Sequence, residues 1–337
     1  MSIRVLRPGL LTTVQDLGRC GKQRYGVVVG GAMDSVALRM ANLLVGNEEG
    51  AAALEMTLLG PTLHFERDTL IALCGGEFRP TTGNQVLRTW RPIVMERGAV
   101  LNIGSAVSGC RGFLAIAGGI DVPLVLGSRS TYLHGKFGGN QGRALKEGDL
   151  LPTLPTLAVS PQECNWGIGP LLPANDDCPT LRVLVGSEFA WLMPQSQEQL
   201  FSAEFEVTPQ SDRMGYRLSG PLLELNSPRE LISEAVCPGT LQVPADGQLI
   251  LLMADCATTG GYPKAACVAS VDLPLAAQLR PGAKLRFAAI SVDEAQSLVR
   301  KREADFARLK VGIDFKLGRR VPAVPPRGDA GTKRGVK

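Results

Sequence analysis

In a chain of 337 residues, 39 Gly and 23 Pro mean that about one position in five bends or breaks regular structure, which excludes long helical bundles and coiled coils. With 45% hydrophobic and 20% charged residues the bulk is globular rather than disordered, and the length suffices for two domains that each bury a core. The net charge is +4, but from Lys316 onward seven basic residues face the single acid Asp329, so residues 1–315 carry −2 and give nucleic-acid binding no support.

The opening MSIRVLRPGL lacks the apolar stretch of a secretory signal, and no apolar run nears the roughly 18 residues that span a bilayer. A cytoplasmic protein without membrane association is expected. Asp34 then precedes a helix whose apolar positions Ala37, Met40, Ala41 and Leu44 fall at i, i+3, i+4 and i+7, with Gly46 as its stop. Short strands separated by Gly, Pro, Asn or Asp follow, among them TLIALCG (69–75), AVLNIGS (99–105) and GFLAIAGG (112–119), and later QLILLMA (248–254) and KLRFAAI (284–290). Such spacing favours closed barrels or sandwiches. Ser291 with Glu294 forms a capping box for a last helix whose buried stripe is Ala295, Leu298, Val299, Phe306 and Leu309. Eight cysteines without a CxxC pair, and only two histidines, His64 and His134, predict neither a disulfide framework nor a metal site.

The chain also repeats itself. Arg4-Val5-Leu6 recurs as Arg182-Val183-Leu184, Thr62-Leu63 as Thr240-Leu241, Glu55 as Glu234, Leu70-Ile71 as Leu249-Ile250, and Thr81-Thr82-Gly83 as Thr258-Thr259-Gly260. Matches in the same order at a nearly constant offset predict two tandem copies of one fold. The expected division is a first domain over 1–155, a Pro-rich linker or excursion over 156–180, a second domain over 181–315, and a disordered basic tail over 316–337.

No GxSxG elbow, GxxxxGK[ST] phosphate loop or Rossmann GxGxxG is present, so no cofactor is bound through a recognisable motif. Chemistry is sought instead on four Gly-rich polar clusters. The first runs from Thr12 to Arg19 and resumes at Gly30-Gly31-Ala32-Met33-Asp34, where Asp34 is an acid, a base or a helix cap. In the second, Arg129 and Arg143 flank His134; the guanidinium groups either bind a carboxylate or phosphate or tie down backbone carbonyls. His134 is either a proton shuttle or structural. The third, Ser211-Asp212-Arg213-Met214-Gly215-Tyr216, sets a carboxylate beside a guanidinium, either for chemistry or as a pair at a barrel rim. In the fourth, Thr258-Thr259-Gly260-Gly261-Tyr262-Pro263, two hydroxyls and a glycine pair hold an oxyanion or amide under Tyr262, or simply make a turn. Asp212, Arg213, Thr258, Thr259 and Tyr262 are the catalytic candidates. Asp34, Arg129, Arg143, Gly260 and Gly261 are the substrate-binding ones.

These clusters carry a resemblance. Thr12 to Arg19, Gly31-Ala32-Met33-Asp34 with Ala41-Asn42-Leu43-Leu44-Val45-Gly46-Asn47, Ala117-Gly118-Gly119-Ile120-Asp121-Val122-Pro123, Gly127-Ser128-Arg129-Ser130-Thr131, Ser211 to Leu218 and Thr258 to Pro263 look like the biotin-dependent carboxyltransferase family, which takes in 5-oxoprolinase, allophanate hydrolase and KipA-like subunits. One departure is Ala257, where family members often carry Gln. The resemblance implies a mainly β fold of two tandem cyclophilin-like β-barrel domains with a few short helices. It implies work as the C component of an ATP-dependent complex opening 5-oxoproline to L-glutamate, beside a KipI-like companion barrel, the B component, and an A component. A non-catalytic KipA-like regulator and a urea or allophanate carboxyltransferase component are the alternatives. Biotin, where used, would arrive on another protein.

Overall fold

The computed structural model describes residues 2–154, 164–169, 177–227 and 231–318. In the first unit, strands β1 (Ser2–Arg7), β2 (Leu11–Gln15), β3 (Ala53–Thr57), β4 (Thr62–Phe65), β5 (Thr69–Phe78), β6 (Thr81–Thr82), β7 (Gln85–Val86), β8 (Ile93–Met95), β9 (Val100–Asn102), β10 (Ala106–Ile116) and β11 (Leu150–Pro152) build two sheets. One has the order β11-β1-β4-β9-β6-β7, the other β2-β3-β10-β5-β8. Alternation decides what faces inward: Ile3 and Val5 of β1 are buried while Arg4 and Arg7 between and after them are exposed. Both sheets contribute to one core, with Leu63 and Leu101 from the first meeting Leu54, Leu73 and Leu114 from the second.

The second unit is a closed barrel of β12 (Thr180–Val185), β13 (Phe205–Val207), β14 (Gly215–Ser219), β16 (Thr240–Gln242), β17 (Ile250–Leu252), β19 (Lys264–Val268) and β20 (Lys284–Ala289), in the order β12-β19-β16-β17-β14-β13-β20. The strands β15 (Glu234–Ala235) and β18 (Thr259–Gly260) pair with each other as a separate ribbon. Two tandem β units are thus present, but the repeated segments do not all occupy equivalent ladders. Thr62-Leu63 lies on β4 beside β1, whereas Thr240-Leu241 lies on β16, whose partners are β17 and β19 rather than β12.

Four α-helices are described: α1 (Ser35–Leu44), α2 (Pro194–Ser202), α3 (Leu273–Ala277) and α4 (Val292–Lys316). Asp34 caps α1 by accepting from Ala37 N at 2.9 Å, and α1 buries its apolar face on the outer side of the five-stranded sheet, against Ala72, Cys74, Phe113 and Ala115. The capping box at Ser291 and Glu294 starts α4. Of its expected stripe, Ala295 and Phe306 are buried and Leu298, Val299 and Leu309 half-buried, because α4 leaves the second unit to lie over α1. Phe306 and Ile313 join the α1 core, and Arg39 of α1 stacks 3.8 Å from the Phe306 ring centroid while pairing with Glu303 and Glu49. This strap ties the last helix to the first unit. The disordered tail was expected over 316–337, but Lys316 is the last residue of α4 and Leu317 its cap; 319–337 lies outside the described residues, as does most of the expected linker.

Two local irregularities set up the junction between the units. The β5–β10 ladder shifts register between Ser108 and Gly112, where Gly75 at φ 104° faces Gly112. That bulge releases the Cys110 and Arg111 N–H groups from β5. The loop before α1 carries Met33 out of the first unit and into the core of the second barrel, beside Leu218 and Leu251.

Candidate functional site at the seam between the two units

Asp16, just after β2, organises the near side of the seam. Its Oδ1 accepts from Gly18 N at 2.8 Å and Ser128 Oγ at 2.6 Å, and also from Ser130 Oγ, while Oδ2 accepts from Arg129 N. One carboxylate with four donors fixes two loops distant in sequence. The Arg129 side chain turns to Val122 O at 2.9 Å and stands 3.7 Å from Asp121, lining a 790 Å³ cavity between residues 45–52 and 117–120. Arg143 is held by Asp149 through two bonds of 2.7 and 2.8 Å and by Ala144 O. This pairing raises the arginine pKa and lowers that of the aspartate.

The centre of the seam is Arg213. Its Nε and Nη2 donate to the two oxygens of Asp255 at 2.9 and 3.1 Å, Nη2 donates to Gly31 O at 2.6 Å, and Nη1 donates to Glu55 on β3. Glu55 in turn accepts from Met33 N at 2.9 Å. Arg213, Glu55 and Asp255 are all buried. Burial opposes the guanidinium charge, but Glu55 and Asp255 outweigh it and raise its pKa. Two carboxylates around one guanidinium leave one excess negative charge, which Arg19 near Asp255 and Arg111 near Glu55 more than offset.

Arg111 donates to Tyr216 Oη and to Ala277 O at 2.6 Å, linking β10, β14 and α3. Burial pushes the Tyr216 phenol up to about 12, with Arg111 opposing. Gln278, at the end of α3, completes the junction. Its Oε1 accepts from the freed Cys110 and Arg111 N–H groups, each at 3.1 Å, and its Nε2 donates to Asp34 Oδ2 at 2.8 Å and to Arg111 O at 3.2 Å.

Burial pushes the Asp34 carboxyl up to about 6, against the opposing bonds from Ala37 and Gln278. With its folded pKa above the unfolded value near 3.8, the folded chain keeps a proton that the unfolded chain has released between those two values. Stability from this group is therefore fully present below about pH 4 and lost as the pH rises to about 6. Asp34→Asn removes that slope: the stability difference from wild type, measured by urea unfolding at pH 3.5 and pH 7, shifts in the variant's favour by on the order of 3 kcal/mol at the higher pH. A pH-independent difference would contradict this placement of Asp34.

At the rim the second and third sequence clusters meet. His134 Nε2 lies 3.8 Å from Asp212 Oδ2, both side chains half-exposed, while Asp212 Oδ1 accepts from Met214 N at 2.7 Å. Tyr132 is half-exposed beside them, and burial together with the charges of Asp255 and Cys256 raises its phenol. The TTGGYP tract stands at the far side as the β15–β18 ribbon. Thr259 and Tyr262 are exposed and Thr258 half-buried. Gly260 packs against the side-chain amide of Gln242, whose buried Nε2 has no partner among the described residues. Lys264 beneath bridges Glu188 at 3.1 Å and Glu234 at 2.7 Å.

The candidates therefore fall in three places. Asp34, Asp212 and Arg213 sit in or at the seam; Thr258, Thr259, Gly260, Gly261 and Tyr262 form the ribbon; Arg129 and Arg143 belong to the first unit alone. Two residues of chain, Cys256 and Ala257, separate Asp255 in the seam from Thr258 beside the ribbon, three Cα steps or at most about 11 Å. Glu55, Arg111, Asp255 and Gln278 were not legible as site residues. For the three charged residues the local signal is a charge in or just after an apolar run, as in Ala53-Leu54-Glu55-Met56 and Leu252-Met253-Ala254-Asp255, while Gln278 has none.

Chemically the seam is a desolvated set of fixed charges under a rim of Tyr132, His134 and Asp212. It suits recognition of a small polar molecule by directed hydrogen bonds. Residues 25–289 match the profile of the carboxyltransferase domain, subdomain A and B. The chain is 41% identical over 308 residues to the C subunit of 5-oxoprolinase from Escherichia coli (strain K12), covering 91% of this chain and 97% of that one. Against the C subunit of the Haemophilus influenzae 5-oxoprolinase it is 40% identical over 305 residues, covering 90% and 96%. The crystal structure of K. lactis urea amidolyase superposes with a TM-score of 0.83 at 33% identity over 94% of this chain, which spans 20% of that larger one. A profile matched from the first unit through the last barrel strand, together with these relatives, shows that the chain belongs to the carboxyltransferase domain family of subdomains A and B.

Proposed function

We propose that this chain is the C subunit of a 5-oxoprolinase, a hydrolase complex that opens the cyclic amide of 5-oxoproline to L-glutamate. The observation that carries this reading is the end-to-end match to two bacterial C subunits, which leaves almost no part of either relative unaccounted for. The urea amidolyase likeness concerns only a fifth of that enzyme and so favours a shared fold over a shared substrate. A companion barrel protein of KipI-like type, the B component, and an A component complete the complex in the cytoplasm.

A lactam is an unreactive amide, and ATP bound elsewhere in the complex would activate it by phosphorylating the carbonyl oxygen. Water adding to that carbon expels the ring nitrogen, which takes up a proton, and leaves an acyl phosphate whose hydrolysis releases L-glutamate and phosphate. This chain would hold the lactam in the seam, with the ribbon at Thr258, Thr259 and Tyr262 closing over it and the rim groups His134, Asp212 and Tyr132 in reach of proton transfers. Fixed donors facing developing negative charge are the contribution such a site makes. The test is reconstitution: the three co-purified proteins release glutamate from 5-oxoproline only with ATP, and omission of this chain abolishes release. A three-protein mixture without activity refutes the reading.

A further inference from the structure

The motif Gln15-Asp16-Leu17-Gly18-Arg19 contains one group whose hydrogen-bond donors the seam leaves open. Arg19 is only 1% exposed. Its Nη2 donates to Ser130 O and its guanidinium lies 4.8 Å from the Phe137 ring centroid, yet Nε and Nη1 have no hydrogen-bond partner among the described residues. Buried arginine donors left open in this way are rare and point to a missing acceptor. Across from them stands Asp255, whose Oδ1 takes a 3.1 Å bond from Arg213 and has lone-pair capacity left.

Gly30 lies between the two. It has φ 63°, and a Cβ built on it would be 3.3 Å from Arg19 Nη1 and 3.4 Å from Asp255 Oδ1, with nothing else beyond its chain neighbours within 4 Å. The absent side chain thus leaves a small cell walled by a cationic donor edge on one side and a carboxylate acceptor on the other.

A free carboxylate placed there would meet Asp255, and a cation would meet Arg19. A group with C=O and N–H side by side on one edge satisfies both walls. Open-chain secondary amides hold these two groups on opposite sides, because the trans form is strongly preferred, whereas a small ring forces them onto the same side. We propose that Arg19 and Asp255 form a seat for the cis-amide edge of the substrate. Arg19 Nη1 donates to the carbonyl oxygen, and Asp255 Oδ1 accepts from the ring N–H. The seat rests on the reading of this chain as part of a 5-oxoprolinase, and it names Arg19 and Asp255 as residues that touch the lactam.

Calorimetric titration of the assembled complex without ATP tests it, using 5-oxoproline, 2-pyrrolidone, N-methyl-2-pyrrolidone and γ-butyrolactone. The first two bind, and the last two, which lack the N–H, bind at least tenfold more weakly. Gly30→Ala, whose methyl fills the cell, weakens lactam binding and raises KM at least tenfold. Gly26→Ala does neither, although Gly26 has a similar φ of 74° and open space around it, so backbone strain is matched. Because the ligand series uses the unaltered protein, it decides the question even where Gly30→Ala fails to fold. Equal affinities across the series, or no lactam binding at all, overturn the seat. Turnover of 5-oxoproline with equal affinities removes the seat and keeps the enzyme reading. Selective lactam binding without turnover does the reverse.

Discussion

Arg213→Ala is expected to lower the unfolding free energy of the chain by about 3–5 kcal/mol, because it leaves Glu55 and Asp255 buried without their common counter-charge. The two carboxylates come from different units, Glu55 from β3 and Asp255 from the segment after β17. The same guanidinium also holds Gly31 O, and with it the turn that sends Met33 into the second barrel. Urea unfolding followed by fluorescence then broadens or splits into two transitions as the units lose their coupling. Arg213→Lys recovers only part of the loss, since one ammonium cannot serve Glu55, both oxygens of Asp255 and Gly31 O together. An unfolding curve for Arg213→Ala that overlays the wild type would remove Arg213 from the centre of the seam.

Gln278→Ala has the second largest expected effect. It orphans the Cys110 and Arg111 N–H groups at the β10 bulge and removes the donor to Asp34. An unsatisfied buried N–H costs about 1–3 kcal/mol, so the total is about 2–4 kcal/mol. Gln278→Glu separates the two halves of the role. It keeps an acceptor for both N–H groups but faces Asp34 with a second carboxyl, so its stability approaches that of wild type near pH 4.5 and falls below it near pH 8, where both groups are driven to ionise. Thermal unfolding at the two pH values reads this out. A Gln278→Glu variant indistinguishable from wild type at both would show that the Asp34 contact contributes nothing.

Local features of the fold were legible because their causes are local. The Asp34 cap with its Ala37, Met40, Ala41 and Leu44 stripe became α1, and the Ser291–Glu294 box became the start of α4. The path of α4 was not legible, since nothing within its own sequence says that Phe306 will pack beside α1 of the other unit. Tandem β organisation was visible in the repeats, yet strand neighbours depend on pairing over long sequence separations, and the matched segments did not all land on equivalent ladders. The seam followed the same logic. Arg213 stood out in a polar loop, but its partner Glu55 lies 158 residues away, marked locally only as a charge inside an apolar strand run. Arg19 has no mark of its own within its motif, because an unpartnered donor is a property of the folded interior.

On the proposed reading the lactam occupies the seam rather than the 790 Å³ cavity walled by residues 45–52 and 117–120, where the bordering Arg129 is turned to Val122 O. Amide hydrogen exchange of this chain within the assembled complex, with and without 5-oxoproline, compares the two directly. Slowed exchange in residues 16–34, 130–139 and 211–216, with the cavity wall unchanged, is the predicted result. Slowed exchange confined to residues 45–52 and 117–120 would contradict it.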